Sequence, residues 1–172
     1  MSPPVQIRWK QGLSSKVSPD FKRSINKSIK ELSEFILVSS NSDLSLKINI
    51  YPFYNLPDVH ENLESLVGLT LVDESKIYLN YDLVASKLNP ESEMDSYFLE
   101  IILVHELLHA IVQDKIHHSL KWARAVMNTW ESIIADVPKW KMHSWGKFKE
   151  FVLQDLRNNM SKSKYLKIVT DI

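Results

Sequence analysis

Four of the six histidines in this chain lie in one short stretch, HELLHAIVQDKIHHSLKW at 105–122. The stretch opens with His105-Glu106-Leu107-Leu108-His109, an HExxH pattern. On a helix, side chains at i and i+4 leave the same face, so both imidazoles can bind one Zn²⁺ at about 2.0–2.1 Å. Glu106 lies beside that face, where its carboxylate can take a proton from a water on the metal. The pattern therefore predicts a catalytic zinc centre, with His105 and His109 as ligands and Glu106 as general base.

A catalytic zinc needs a third protein ligand and one open position. Val112 stands where the metzincin pattern has glycine, and no histidine follows three residues later, so that arrangement is disfavoured. A helix that ends soon after the motif would return His117 or His118 to the metal, and spacing alone does not choose between them. Glu131, on the next predicted helix, is a weaker candidate for the third ligand.

The elements that must position these residues follow from the apolar periodicity. Ser18 as N-cap, Pro19 at the first helical position and apolar residues at helical spacing predict a helix over roughly 19–38. The alternation in LSLKINIYPF predicts a strand, and LVGLTLVDESKIYLNYDL predicts a hairpin with strands at roughly 66–73 and 76–82. Three helical patterns follow, the first of which carries the HExxH residues. The order predicts an α+β fold: an N-terminal helix, a small three-stranded antiparallel sheet, the HExxH helix and further helices.

Composition limits the class of protein. A chain of 172 residues with 44% hydrophobic residues is typical of one compact soluble domain. The absence of cysteine excludes disulfides, thiolate zinc sites, iron–sulfur clusters and a cysteine nucleophile. No apolar run of about 18 residues and no signal-peptide pattern occur, which predicts an intracellular protein without a membrane partner, cytoplasmic or DNA-associated (nuclear in a eukaryote).

The net charge of zero hides an uneven distribution. Residues 1–40 carry seven Lys/Arg against three Asp/Glu, residues 41–114 carry three against thirteen, and residues 137–172 carry eight against three. In the last segment basic residues alternate with aromatic ones, as in grooves that bind single-stranded nucleic acid. Packing of these aromatic residues on the core, as also predicted for Trp122 and Trp130, is the favoured interpretation. The candidate DNA-contact residues are Lys139, Lys141, Lys147, Lys149, Trp140 and Trp145.

The run GLTLVDESKIYLNYDLVAS, followed by FLEIILVHELLHAIVQDKIHHSLKW, resembles the SprT-like domain shared with the Spartan proteases. The resemblance covers roughly residues 20–135 and is strongest over 66–127. It includes the strand pattern IxLNxxL at 77–83 and a histidine four residues before an aromatic residue, as His118 stands before Trp122. Many members also carry a cysteine zinc ribbon, which a chain without cysteine cannot form.

The resemblance implies a zincin-like fold and a zinc endopeptidase acting on DNA-associated or DNA-crosslinked proteins, with single-stranded or double-stranded DNA as a partner. It favours His118 over His117 as third ligand, although Ser119 stands where the family usually has glycine and the spacer after His109 is short. An intracellular zinc peptidase without a nucleic-acid role and a non-catalytic zinc- or DNA-binding module are the alternatives. The predicted division is an N-terminal segment, 1–17, the SprT-like domain, 18–136, and a basic, aromatic-rich extension, 137–172.

Overall fold

The structure, a computed structural model, divides the chain into two compact units, Met1–Ile111 and Val112–Ile172. It describes residues 5–52, 56, 68–82, 98–114, 116, 118–136 and 145–170. The predicted boundary after residue 136 borders a segment outside these ranges, and the division at 18 and 137 stays a prediction.

Helix α1, Pro19–Ser39, begins and ends with local hydrogen bonds of recognised types. Ser18 Oγ accepts a hydrogen bond from the backbone N–H of Phe21, which makes Ser18 the N-cap as predicted. At the other end, Asn41 has a φ of 50°, and the N–H of Ser42 donates to the carbonyl of Leu37. This pattern is a Schellman motif, and it satisfies carbonyls that the helix itself leaves open. The helix predicted over 19–38 is thus confirmed.

Among the described residues, four strands form one mixed sheet, in the order β1-β2-β4-β3. The strands are β1 (Val5–Trp9), β2 (Leu46–Tyr51), β3 (Gly68–Leu71) and β4 (Lys76–Asn80). Strands β3 and β4 are antiparallel and joined by a short 3₁₀ turn, Val72–Glu74, so the predicted hairpin is confirmed. Strand β2, however, pairs in parallel with both β1 and β4. The prediction of a three-stranded antiparallel sheet was therefore wrong in strand number and in direction.

The connection through α1 explains the parallel pairing of β1 with β2. A helix between two strands carries the chain back to the end where the first strand began, so the second strand runs in the same direction. Strand β1 is short, and its alternation is confined to buried Val5 and half-buried Ile7 and Trp9 against exposed Gln6 and Arg8. A pattern of this length predicts a strand only weakly, so β1 was not predicted from the sequence.

Helix α2, Phe98–Val112, is apolar on nearly all sides. Its buried apolar residues are Leu99, Ile101, Leu103, Val104, Leu107, Leu108 and Ala110. A helix of this kind is buried in a core, and its polar residues His105 and Glu106 are buried with it. The helix ends at Val112, where Gln113 takes a left-handed φ of 50°.

The described part of the second unit contains the helices α3 (Leu120–Asp136), α4 (Trp145–Asn159) and α5 (Lys162–Thr170). Ser119 caps α3, because its Oγ accepts a hydrogen bond from the N–H of Trp122 at 3.1 Å. Trp122 and Trp130 are each 1% exposed, which confirms their prediction as core residues. None of the helices among the described residues combines the length and the apolar character that a membrane crossing requires.

Candidate metal centre

His105 and His109 lie one turn apart on α2, as the spacing predicted. Their Nε2 atoms are 3.3 Å apart, and the two rings meet edge to face at 5.0 Å between centroids. Two nitrogens bound to one zinc at about 2.0–2.1 Å with tetrahedral angles lie about 3.4 Å apart. The pair therefore already has the spacing that a shared zinc ion requires.

His118 lies directly before the N-cap of α3, in an unusual backbone conformation. Its φ is 50°, in the left-handed region that residues other than glycine seldom adopt. The ring of His118 lies edge to face on Trp122, with 4.8 Å between centroids, and Trp122 is held in the core. Backbone strain of this kind persists where surrounding structure enforces it, and it is concentrated at functional sites.

Ser119 marks a departure from the SprT-like pattern, and the structure gives it a role. A serine at an N-cap satisfies a backbone N–H that the first turn of the helix leaves open. The carbonyl of Ser119 also accepts the N–H of Ala123, the first intrahelical bond of α3. Ser119 is therefore the N-cap of α3, and the helix begins at Leu120, two residues after His118.

His105, His109 and His118 lie close together: one ring nitrogen from each is within 4.8 Å of the others. His105 is 8% exposed, and His109 and His118 are half-buried. Three neutral imidazoles are a donor set that suits zinc and other transition-metal ions. The three histidines can therefore bind a metal ion.

Of the other candidates for the third ligand, the structure describes Glu131 alone. Among the described residues, the groups that could jointly hold a metal ion are the three histidines, and Glu131 is an exposed residue of α3 outside them. His117 lies outside the described residues. His118 lies close to His105 and His109, and the choice between it and His117 stays a prediction.

Glu106 is buried, at 7% exposure, and its carboxylate lies against β3. The Thr70 hydroxyl is 2.5 Å from Glu106 Oε2 and 3.0 Å from the Glu106 carbonyl oxygen. A Cβ built on Gly68 would be 2.6 Å from Glu106 Oε1, closer than side-chain atoms approach one another. Gly68 and Thr70, two residues apart, point to the same side of the strand, and that side faces Glu106.

Gly68 and Thr70 were missed in the sequence, although one of them carries a signal. An isolated glycine inside a strand pattern often marks a place where another group approaches the backbone closely. In GLTL that glycine opens the first strand of the hairpin. The pattern indicates a close approach but does not say which group approaches.

We expect Gly68→Ala to lower the free energy of unfolding by about 1–3 kcal/mol, because the new methyl group forces the Glu106 side chain to move. Urea unfolding of the metal-free protein measures this change. The matched control is Gly68→Ala in a Glu106→Ala background, where the obstructing carboxylate is gone and the alanine should cost nothing. An equal loss of stability in both backgrounds would contradict this account of Gly68.

Glu100, on the first turn of α2, is a second acidic group held away from water. Burial raises the pKa of its carboxyl to about 7, against the smaller lowering effect of a hydrogen bond from its backbone N–H. Its Oε2 is buried and has no hydrogen-bond partner among the described residues. Because the pKa is higher in the folded state, the contribution of Glu100 to stability is largest below pH 4.5 and is lost as the pH rises through about 7.

Glu100→Gln should therefore stabilise the protein on the order of 3 kcal/mol at pH 8, and by less than about 1 kcal/mol at pH 5. The reason is that glutamine occupies the same space without ionising. Urea unfolding at both pH values, with a chelator present, measures the difference. Glu150→Gln, at an exposed position on α4, is the control and should change stability little at either pH. A Glu100→Gln effect independent of pH would contradict the raised pKa.

The predicted DNA-contact residues are not tested by the structure. Lys139, Trp140 and Lys141 lie outside the described residues. The backbones of Trp145, Lys147 and Lys149 belong to α4, and their side chains are outside the description. Contact with DNA stays a prediction.

Comparison of the whole chain with models of protein families, with curated proteins and with solved structures found no match. The resemblance to the SprT-like domain accordingly stays a prediction from the motif residues.

Proposed function

We propose that the chain is a zinc-dependent endopeptidase of the SprT-like type with a zincin-like fold, in which His105, His109 and His118 bind zinc and Glu106 is the general base. The observation that carries this proposal is the cluster of three histidines together with a buried carboxylate on the residue after the first of them. A buried carboxylate next to a metal-binding face is costly to maintain, and its use as a proton acceptor explains its presence.

Three ligands favour a catalytic zinc over a structural one. Structural zinc sites usually have four protein ligands, frequently cysteines, whereas catalytic sites have three and leave a position for water or substrate. The chain has no cysteine, and the metal-binding group among its described residues has three members. This count supports the enzyme over the non-catalytic module.

When bound, zinc supplies a Lewis acid that polarises the peptide carbonyl and lowers the pKa of the attacking water. The Glu106 carboxylate takes a proton from that water while the oxygen of the water forms a bond to the carbonyl carbon. Glu106 then gives the proton to the amide nitrogen as the C–N bond breaks, so the amine leaves neutral. His105, His109 and His118 would hold the metal through their ring nitrogens, and Glu106 would accept and return the proton.

Protein is the proposed substrate, and an association of that protein with DNA rests on the resemblance alone. The proposal is tested by measuring zinc content and the cleavage of a mixture of quenched fluorescent peptides by the same preparation. We expect about one zinc per chain, activity lost on chelation and activity restored by added zinc. Zinc binding without any cleavage would favour the non-catalytic module. No zinc binding would refute the zinc endopeptidase and leave at most a module that binds DNA without zinc.

A further inference from the structure

The Thr70 hydroxyl has two acceptors within reach but one proton to donate. Glu106 Oε2 is the closer of the two, at 2.5 Å against 3.0 Å for the Glu106 carbonyl oxygen. A carboxylate oxygen is also the stronger acceptor, and 2.5–2.7 Å is the usual length of an O–H···O⁻ bond. The hydroxyl therefore donates to Oε2 and connects β3 to the carboxylate across 36 residues of sequence.

The backbone at Gly68 lies close to the other carboxylate oxygen of Glu106, Oε1. The space in which a side chain at position 68 would begin is occupied by Oε1, Cγ and Cδ of Glu106, all within 2.9 Å of the site of a Cβ. Because the Glu106 side chain is 7% exposed, it has little room to turn away from the strand. Thr70 and Gly68 thus restrain both the position and the rotation of the carboxylate.

We infer that Thr70 is a positioning residue for Glu106, acting through its hydroxyl. The inference rests on the proposed function, since it assigns Thr70 a part in the proton transfer by Glu106. A general base must lie within hydrogen-bond reach of the proton that it takes, and an error of about 1 Å can cost about 10²-fold in rate. Thr70 contacts neither the substrate nor the metal in this role, so it acts on kcat through Glu106.

Substitution of Thr70 by valine or by serine distinguishes the contribution of its hydroxyl from that of its methyl group. Thr70→Val keeps the shape and removes the donor, whereas Thr70→Ser keeps the donor and removes a methyl group. We expect both variants to bind as much zinc as the wild type. In Thr70→Val, kcat on the peptide mixture should fall about 10–100-fold while KM stays within about twofold of wild type. In Thr70→Ser, kcat should stay within about threefold of wild type. Equal loss in both variants, or wild-type kcat in Thr70→Val, would overturn the inference.

A second measurement does not need catalysis. Thr70→Val and Glu106→Ala, alone and combined, form a double-mutant cycle for unfolding of the metal-free protein. If the hydroxyl donates to the carboxylate, Thr70→Val should raise the unfolding equilibrium constant about tenfold more in the wild type than in the Glu106→Ala background. Independent effects of the two substitutions would show that Thr70 does not hold the carboxylate, and the inference would be overturned.

The two measurements distinguish failure of the inference from failure of the proposed function. A coupled pair in a wild-type protein that binds zinc but cleaves no peptide would refute the endopeptidase and would leave Thr70 as a structural partner of Glu106. An active wild type with an uncoupled pair would refute the role of Thr70 alone.

Discussion

Glu106→Gln should bind zinc as the wild type does and lose about 10²–10⁴-fold in kcat, the usual contribution of a general base. Glutamine has the size of glutamate and still offers an oxygen to the Thr70 hydroxyl, so the packing against β3 is kept. What is lost is the group that takes a proton at neutral pH. Zinc content per chain and kcat on the peptide mixture, measured on one preparation, check both halves of the expectation.

The matched control is Glu100→Gln, which makes the same chemical change on the same helix. Glu100 is half-buried, with a buried Oε2, and lies in the first turn of α2, before the HExxH residues. We expect it to keep wild-type kcat at pH 7, whatever its effect on stability. Full activity in Glu106→Gln would exclude Glu106 as the base, and with zinc still bound it would favour a different mechanism or a metal of structural role.

His118→Ala should abolish stable zinc binding, because two imidazoles on one helix leave two coordination positions to water. In the wild type, zinc at a thousand times its dissociation constant should stabilise the folded state by about 4 kcal/mol. That gain should disappear in His118→Ala. Elemental analysis after gel filtration and urea unfolding with and without zinc measure the two effects.

Two further variants make this test specific. Alanine at a φ of 50° carries strain of its own, whereas asparagine tolerates the left-handed region and binds zinc poorly through its neutral amide. His118→Asn should therefore lose zinc without loss of stability in the metal-free protein. His117→Ala should keep zinc, since the structure brings His118 to the other two histidines. Loss of zinc in His117→Ala and retention in His118→Ala would reverse the assignment.

The sequence by itself predicted the elements whose geometry is local. The spacing of His105 and His109 fixes their common face on any helix, and the periodicity and cap of α1 define that helix before any tertiary contact is considered. The hairpin of β3 and β4 likewise follows from a short turn between two apolar runs. In each case the interacting residues are near neighbours in the chain, so their pattern is visible in a short window.

Tertiary structure decided the features that join distant residues. The pairing of β1 with β2 depends on the path of the chain through α1, and the contact of Thr70 with Glu106 spans 36 residues. The left-handed conformations of Gln113 and His118 likewise have no signature in the apolar periodicity of the sequence. Local patterns determine which side chains share a face of one element. Packing between elements decides which other element that face meets. The burial of Glu106 against Gly68 and Thr70 is such a contact, between α2 and β3.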